Sequence, residues 1–347
     1  MEQAILKIGM PAGSLANAQR GGNLVDLLAM SGFGTSGYDK GGPTKFTRIN
    51  FLFGWDGRPQ EFGSQLEVNE LDVAIAGDDW IRERMLEMKL EYGIDVRLER
   101  VMTLNRGGVK LVGIVRGGGF GTTEEYLQDL VARKPLITVA SEMPYLALDW
   151  IRSRLLRLGI ENEPGAFSVQ KYKTPAKIQK GIVVYESWGK TESKVMHGAV
   201  DIGLEISQTG SAIKAYGLTV LETVMESQTS IWINPAAGKD QKKRDLLEMF
   251  LLNLYGAIHA ENKVMLLFNV PNRLVEGIEQ YLSSNNLFGD EPTVNKGKEY
   301  TEYDIQVDTD NADKPIAMVR YNLAKLGARS INTIPISSSI PGIKVIR

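Results

Sequence analysis

Apolar positions along the chain fall into short runs of strand length, each followed by a polar turn and a longer amphipathic stretch. "ILKIGMP" is such a run, ended by Pro11, and "GSLANAQRGGNLVDLLAMSG" follows with Ser14 as a helix N-cap and Gly32 as its stop. "TRINFLFGW" and "LDVAIAG" repeat the form. The second leads into "DDWIRERMLEMKLEYG", where Asp78 and Asp79 stand at the positive end of a helix. Strands alternating with helices predict a parallel, doubly wound α/β sheet. Between these units, "SGFGTSGYDKGGPTK" is rich in Gly and reads as a loop.

The pattern restarts near "GGVKLVGIVRGGGFGTTEEYLQDLVARKP", which predicts a second α/β body. "LITVAS", "PYLALDWIRSRLLRLG", "KGIVVYES", "AVDIGLEIS" and "LTVLETVMESQTSIWINP" continue the alternation. After Pro235, "KKRDLLEMFLLNLYGAIHAEN" has helical apolar spacing. The last part changes character: "KVMLLFNVP", "RLVEGIEQYLSS", "PTVNKG", "EYDIQVDTD", "PIAMVRYNLAKLGA" and "SINTIPIS" read strand, helix, strand, strand, helix, strand. That order is the ferredoxin-like unit, which serves as a ligand sensor or as a packing module.

Composition narrows the chemistry. The chain of 347 residues, 43% apolar, is long enough for two or three domains. Forty basic and 42 acidic residues leave a net charge of -2, so no global field draws it to nucleic acid or anionic lipid. With no cysteine and only His197 and His259, thiolate and histidine metal clusters are set aside, and His197 without a partner is no candidate base. No run approaches the roughly 18 apolar residues of a membrane span, and the N-terminus lacks a secretory pattern, so a soluble cytoplasmic protein is expected.

Candidate chemistry lies in "EISQTGSAIKAYGL". Thr209, Gly210 and Ser211 join a strand to a helix start, where outward N–H groups and hydroxyls suit a phosphate, although such a turn is more often only a turn. Asp201 and Glu205, four residues apart, are expected near it as carboxylates for sugar hydroxyls or magnesium. Arg58 in "WDGRPQEFG", with Glu61 three residues on, follows a strand end, where open α/β sheets bind ligands.

Read in order, "DVAIAGDDWIRE", "RGGVKLVGIV", "ITVASEMPYLALDWI", "TGSAIKAYGLTVLETVMESQTSIWINP" and "VPNRLVEGI…EPTV…LAKLGARSINTIPI" resemble the long-form ATP phosphoribosyltransferases of histidine biosynthesis, from about Lys7 to Ile336. The resemblance implies two periplasmic-binding-protein-like α/β domains, 1–106 with 222–262 and 107–221, and a ferredoxin-like, ACT-like regulatory domain over 263–347. It implies Mg²⁺, ATP and phosphoribosyl pyrophosphate (PRPP) as ligands, a hexamer, and histidine as an effector. N1 of ATP would attack the anomeric carbon of PRPP and release pyrophosphate, a transfer that rests on positioning and charge neutralisation.

Residue by residue, the family's PRPP loop falls on Glu205 and on Thr209 to Ile213. Thr209 and Gly210 match, Ser211 supplies a hydroxyl, Ala212 replaces a Thr and Tyr216 an Asn. The nucleotide side falls on Pro11, Gly13, Ser14, Arg58, Gly77 and Asp79, with Arg58 and Glu205 as the catalytic pair. Thr293 and Ala328 match positions near the effector site, beside the divergent insert "NKGKEYTEYD". At the first turn the family writes P-K-G-R-L and this chain "PAGSL". Ala12 and Ser14 thus replace two cations, leaving Lys45, Arg48 and Arg106 as candidates to compensate. A paralogue acting on another purine nucleotide, or a non-catalytic nucleotide sensor, is the alternative reading.

Overall fold

The computed structural model describes residues 4–16, 22–160, 166–288 and 293–346. The first half begins with β1 (Leu6–Pro11) and α1 (Leu24–Met30), then β2 (Thr35–Ser36), β3 (Lys45–Phe46), β4 (Leu52–Gly57), α2 (Pro59–Glu67), β5 (Val73–Gly77) and α3 (Asp78–Tyr92). A long strand β6 (Glu99–Val115) leads to α4 (Thr123–Arg133), β7 (Leu136–Ser141), α5 (Pro144–Arg157), β8 (Phe167–Lys171) and β9 (Gly181–Glu186). Then come α6 (Thr191–Met196), β10 (Ile202–Ser207), α7 (Ser211–Ala215) and a second long strand, β11 (Thr219–Ile233). The chain ends with α8 (Gln241–Ala260), β12 (Lys263–Pro271), α9 (Val275–Ser284), β13 (Thr293–Lys296), β14 (Tyr300–Asp308), α10 (Ile316–Lys325) and β15 (Arg329–Pro335).

Nine strands form one mixed sheet in the order β4-β1-β5-β11-β6-β10-β7-β9-β8. β1 runs parallel to β4 and β5, and β7 runs parallel to β9 and β10, so two parallel halves flank an antiparallel pair, β6 and β11. Such parallel strands are covered on both faces and read as continuous apolar runs. β5 obeys this: Val73, Ala74, Ile75 and Ala76 are all fully buried.

The two halves grip opposite ends of the central ribbon. β5 pairs with Thr229 to Ile233 of β11, whereas β10 pairs with Lys110 to Val115 of β6. Each half has its own core: Phe62, Leu66, Leu71 and Ile81 in the first, Leu127, Val139, Ile151 and Ile182 in the second. Fully burying side chains of this size contributes roughly 1.5–3 kcal/mol each, so each half is held mainly by its own interior.

The chain forms two compact units, one of Met1–Val25 with Thr35–Arg244 and another of Asp26–Gly34 with Asp245–Arg347. In the second, β13-β14-β12-β15 form an antiparallel sheet backed by α9 and α10, with Leu266, Phe268, Ile278, Tyr303 and Leu323 in its core. This is the expected β-α-β-β-α-β order. The Gly-rich stretch after Gly32 holds more structure than a loop: β2 and β3 pair there, and buried Tyr38 donates to the Pro11 carbonyl at 2.8 Å, pinning the end of β1. No helix of the described residues is long and apolar enough to cross a membrane.

Glu222 of β11 ties the second half to the ribbon. It accepts from Trp150 Nε1 at 2.7 Å, Thr123 Oγ1 at 2.7 Å and Arg154 Nε at 2.8 Å. Burial by itself raises the Glu222 pKa, but the hydrogen bonds from Arg154, Thr123 and Trp150 outweigh it and bring the carboxyl down to about 2. A depressed acid contributes stability that is full above its ordinary value, 4.5, and is lost as pH falls through about 2. Glu222→Gln should therefore cost about 1–3 kcal/mol at neutral pH by leaving donors underserved. Chemical denaturation of both proteins from pH 7 to 2 should show the gap closing at the acid end.

Candidate active site

The ribbon is irregular where the two halves meet. Val109 pairs with Ser227 and Arg106 with Thr229, so Gly107 and Gly108 bulge out of register. Gly107 has φ +61, and a Cβ there would lie 2.8 Å from both Leu15 Cδ2 and Thr229 Oγ1. Only glycine meets both demands. Above this bulge lies a cavity of ≈ 450 Å³, walled by Ala12, Gly13, Arg58, Gln60, Gly77, Asp79 and Trp80 from the first half and by Ile206 and Gln208 from the second.

Local sequence explains the first wall. Pro59 takes the first position of α2, where its missing N–H costs nothing, and Arg58 is the extended residue before it (φ -97, ψ 133). The guanidinium is exposed and has no hydrogen bond or ion pair among the described residues. Asp78 and Asp79 open α3, but they face different partners. Asp78 accepts from Arg100 at 3.0 Å and Trp232 Nε1 at 3.1 Å, whereas Asp79 turns to the cavity. Burial raises the Asp79 pKa, and hydrogen bonds from the Trp80 amide and Ser227 temper the rise. Gln60 Oε1 and Thr229 Oγ1 are buried with no partner among the described residues, as polar atoms reserved for a ligand would be.

From the second half, Ile206 and Gln208 at the end of β10 line the cavity. Glu205 and Thr209 to Ser211 do not line it but lie on the same C-terminal side of β7, β9 and β10, the usual ligand side of a parallel sheet. Glu142, Glu186, Glu192 and Glu205 gather just there. Glu205 Oε2 and Thr191 Oγ1 are buried and neighbour one another, with the Glu192 carboxyl beside them. Burial chiefly, then the neighbouring carboxylate of Glu192, pushes the Glu205 pKa up to about 7. Beyond β10, Gly210 adopts a left-handed φ of +70 ahead of α7, and Thr209 Oγ1 and Ser211 Oγ lie 2.7 Å apart on an exposed turn. Within α7, Ile213 is buried while Ala212 is exposed, and Tyr216 caps the helix end.

The cavity thus brings together Gly13, Arg58, Gly77 and Asp79, with Ala12 beside them, while Pro11 ends β1 just before this wall. The side chain of Ser14 lies outside the described residues. Asp201 does not join Glu205 at the turn. It precedes β10, about 20 Å from the loop at roughly 3.3 Å per strand residue, and is held by Lys134 at 2.8 Å and by the Thr138 amide at 2.8 Å. Of the candidate compensating cations, Lys45 and Arg48 are exposed and do not line the cavity, while Arg106 stands at the bulge beside Gly107. In the C-terminal unit, exposed Thr293 on β13 and buried Ala328 just before β15 stand at opposite edges of the four-stranded sheet. Sequence reasoning missed Gln60, Trp80, Ser227 and Thr229. The signal for the last two was polar residues interrupting the apolar strand "SQTSIWI".

Fold and cleft define an α/β protein of two halves on one mixed sheet, with a cavity over its central ribbon, and a separate unit of ferredoxin-like element order later in the chain. More particularly, the chain belongs to the HisG family, ATP phosphoribosyltransferase, whose sequence pattern matches residues 58–256. Members of this family are glycosyltransferases of the first step of histidine biosynthesis. The ATP phosphoribosyltransferase of Nitratidesulfovibrio vulgaris (strain Hildenborough) is 28% identical over 314 residues, covering 88% of this chain and 89% of that one. That of Geotalea uraniireducens is 28% identical over 342 residues, covering 97% and 99%. Among solved structures, the ATP phosphoribosyl transferase (HisG:HisZ) complex from Thermotoga maritima aligns over 72% of this chain and 98% of that one, at 14% identity and TM-score 0.48.

The glutamate pair makes a site-level prediction. In carbon-13 NMR the Glu205 carboxyl should titrate near 7, and Glu192→Gln should move it down without reaching the ordinary 4.5, because burial is the larger cause. A Glu205 that titrates near 4.5 in the parent protein would remove the pair from the account.

Proposed function

We propose that the cavity over the Gly107 bulge is where N1 of ATP meets the anomeric carbon of PRPP, with ATP on the first half and the ribose 5-phosphate part of PRPP on the second, its pyrophosphate reaching across to Arg58. Taken as functional bodies, these halves are 1–106 with 222–262 and 107–221, and 263–347 is regulatory. The observation that carries the reading is Arg58: a cation with no partner among the described residues, lining one cavity with Ile206 and Gln208 from the C-terminal end of β10, the strand that carries Glu205.

The chemistry forms a bond from N1 to the anomeric carbon while the carbon–oxygen bond to pyrophosphate breaks, its electron pair leaving with pyrophosphate. The transition state carries positive charge on the ribosyl carbon and growing negative charge on the leaving group. Arg58 neutralises the second, and its rigid fork suits phosphate oxygens. Glu205 and Glu192 accept from ribose hydroxyls and sit on the side where positive charge develops. The Thr209–Ser211 turn takes the 5-phosphate, its hydroxyls exchanging their mutual bond for phosphate oxygens. Gly13, Gly77 and Asp79 shape the nucleotide wall.

Magnesium fits this donor set as a guest of the substrate. Glu205 offers a buried carboxyl oxygen beside Glu192, the hard donors Mg²⁺ takes, yet no group of three acidic or histidine side chains among the described residues is placed to cage an ion. Bound with PRPP, the ion would supply positive charge to the leaving pyrophosphate, and Glu205 with Glu192 are the residues that would hold its outer face. Histidine inhibition through the C-terminal unit and a hexameric assembly complete the proposal. Unchanged activity in saturating histidine would remove the first.

With Ala12 and Ser14 at usually cationic positions, Arg58 carries an unusual share of charge neutralisation. Arg58→Ala should lower kcat by about a hundredfold, the loss typical of one preorganised electrostatic donor. The assay follows phosphoribosyl-ATP formed from ATP, PRPP and Mg²⁺. A parent protein that makes no such product, but joins the phosphoribosyl group to another purine nucleotide, would move the proposal to that acceptor.

A further inference from the structure

Helix α5 begins the second half's side of the cleft, and its first-turn amides can be accounted for completely. Pro144 has none. Ala147 donates to the Met143 carbonyl at 3.1 Å, and Met143 itself donates to Ser141 Oγ at 2.9 Å. The two remaining donors, Tyr145 and Leu146, go to Glu83 at 2.9 and 2.7 Å, one on each carboxyl oxygen. Glu83 lies on α3, which the chain builds as part of the first half.

Glu83 is 7% exposed, and α3 and α5 pack side by side around it. Helix α3 straddles two interiors: Ile81 belongs to the first half's core, and Leu86, five residues on, to the second half's. One turn before Glu83, the same helix places Asp79 in the cavity. A buried carboxyl from one half therefore caps the helix N-terminus of the other, where free N–H groups favour an acceptor. Burial pushes its pKa up to about 8, against the lowering by the two amide hydrogen bonds and with the added push of Glu87 and Glu186. The link touches nothing in the cavity, and Gln60 and Trp80 separate the two.

We propose that Glu83 is the positioning residue that sets the opening of the catalytic cleft, clasping the N-terminus of α5 so that substrates held by different halves meet at reacting distance. This rests on the reading that ATP and PRPP occupy opposite walls. It has a corollary: the α5 N-terminus has no amide left for a substrate phosphate, so phosphates are directed to Arg58 and the Thr209–Ser211 turn. A clasp of this kind matters because a shift of about 1 Å between reacting groups can cost about a hundredfold in rate.

The chain contains no cysteine, so a Val68→Cys, Leu156→Cys pair, both exposed and one in each half, takes spin labels at those sites alone. Distances between the labels would be measured by pulsed electron resonance in the full chain, in the parent and with Glu83→Ala or Glu83→Gln added. The clasp predicts a narrow distribution in the parent and a broader or longer one in Glu83→Ala. It also predicts kcat lowered at least about tenfold, with binding of ribose 5-phosphate alone kept within about twofold because its phosphate and hydroxyls meet the second half only. Glu83→Gln, whose amide keeps one acceptor, should fall between, and millimolar formate should narrow the Glu83→Ala distribution by refilling the site. If Glu83→Ala does not melt cooperatively, Glu83→Gln is decisive on the same readouts. Unchanged distances in the folded variant would overturn the clasp. A parent without phosphoribosyl transfer but with a narrow distribution that Glu83→Ala broadens would instead overturn the assignment of substrates and leave the clasp standing.

Discussion

The antiparallel pairing of β6 with β11 is the constraint on which the rest of this catalytic unit depends. Two strands of 17 and 15 residues run through both halves of one sheet, and each half hydrogen-bonds to a different end of the pair. Neither parallel half closes its own sheet without lending an edge to the ribbon. Because the strands cannot be cut at the boundary, the cleft has to form across them. The irregular pairing at Gly107 and Thr229 supplies the space, lowering the floor just where the two strand-end edges face one another. The cavity in this architecture lies over one of several irregularities in the ladder.

Charge is distributed across that cleft asymmetrically. The first wall holds an arginine with no partner among the described residues and a buried aspartate whose proton is held more tightly than usual. On the second half, at the ends of β7, β9 and β10, lie glutamates close enough that their charges oppose one another. Polyanionic substrates would be repelled by the second wall if they came as bare anions. They are accepted if the sugar, with its hydroxyl donors, faces the glutamates and the phosphates face Arg58 and the hydroxyl turn. Acid–base side chains with pKa values tuned for proton transfer by histidine or thiol are not needed for a displacement in which pyrophosphate leaves as an anion, and the chain has no cysteine and two histidines. The substitution of Ala12 and Ser14 for cations fits a cleft in which positive charge is concentrated at one arginine.

Much of this architecture is legible in residue order, for identifiable reasons. β5 announces itself as a continuous apolar run and α3 by the acidic pair at its start. The C-terminal unit is legible because its six elements are separated by clear turns and fall into the predicted sheet order. The hidden features depend on tertiary pairing. β6 starts at Glu99 and not near Gly107, because "ERVMTLNR" is polar enough to look like a linker until β11 pairs with it. Asp201 reads as a neighbour of Glu205, but four residues along a strand is a long way, and the strand's direction carries Asp201 to the opposite end, into Lys134 and Thr138. Glu83 looks like any surface glutamate on an amphipathic helix, and nothing local says that a second helix will present two bare amides to it. The hydroxyl turn is legible as chemistry, whereas Gln60, Ser227 and Thr229 become candidates only when their walls face one space.

The central claim is that the cleft over the ribbon bulge holds both substrates, ATP on the first half and the ribose 5-phosphate part of PRPP on the second. A structure of the chain with Mg²⁺, PRPP and a non-reactive ATP analogue tests it most directly. The account predicts density for pyrophosphate against Arg58, for the ribose hydroxyls at Glu205 and Glu192, and for the 5-phosphate at Thr209 to Ser211. The adenine would lie toward Gly77 and Asp79. Both ligands bound on the same half, or a PRPP phosphate seated on the α5 N-terminus in place of Glu83, would contradict it.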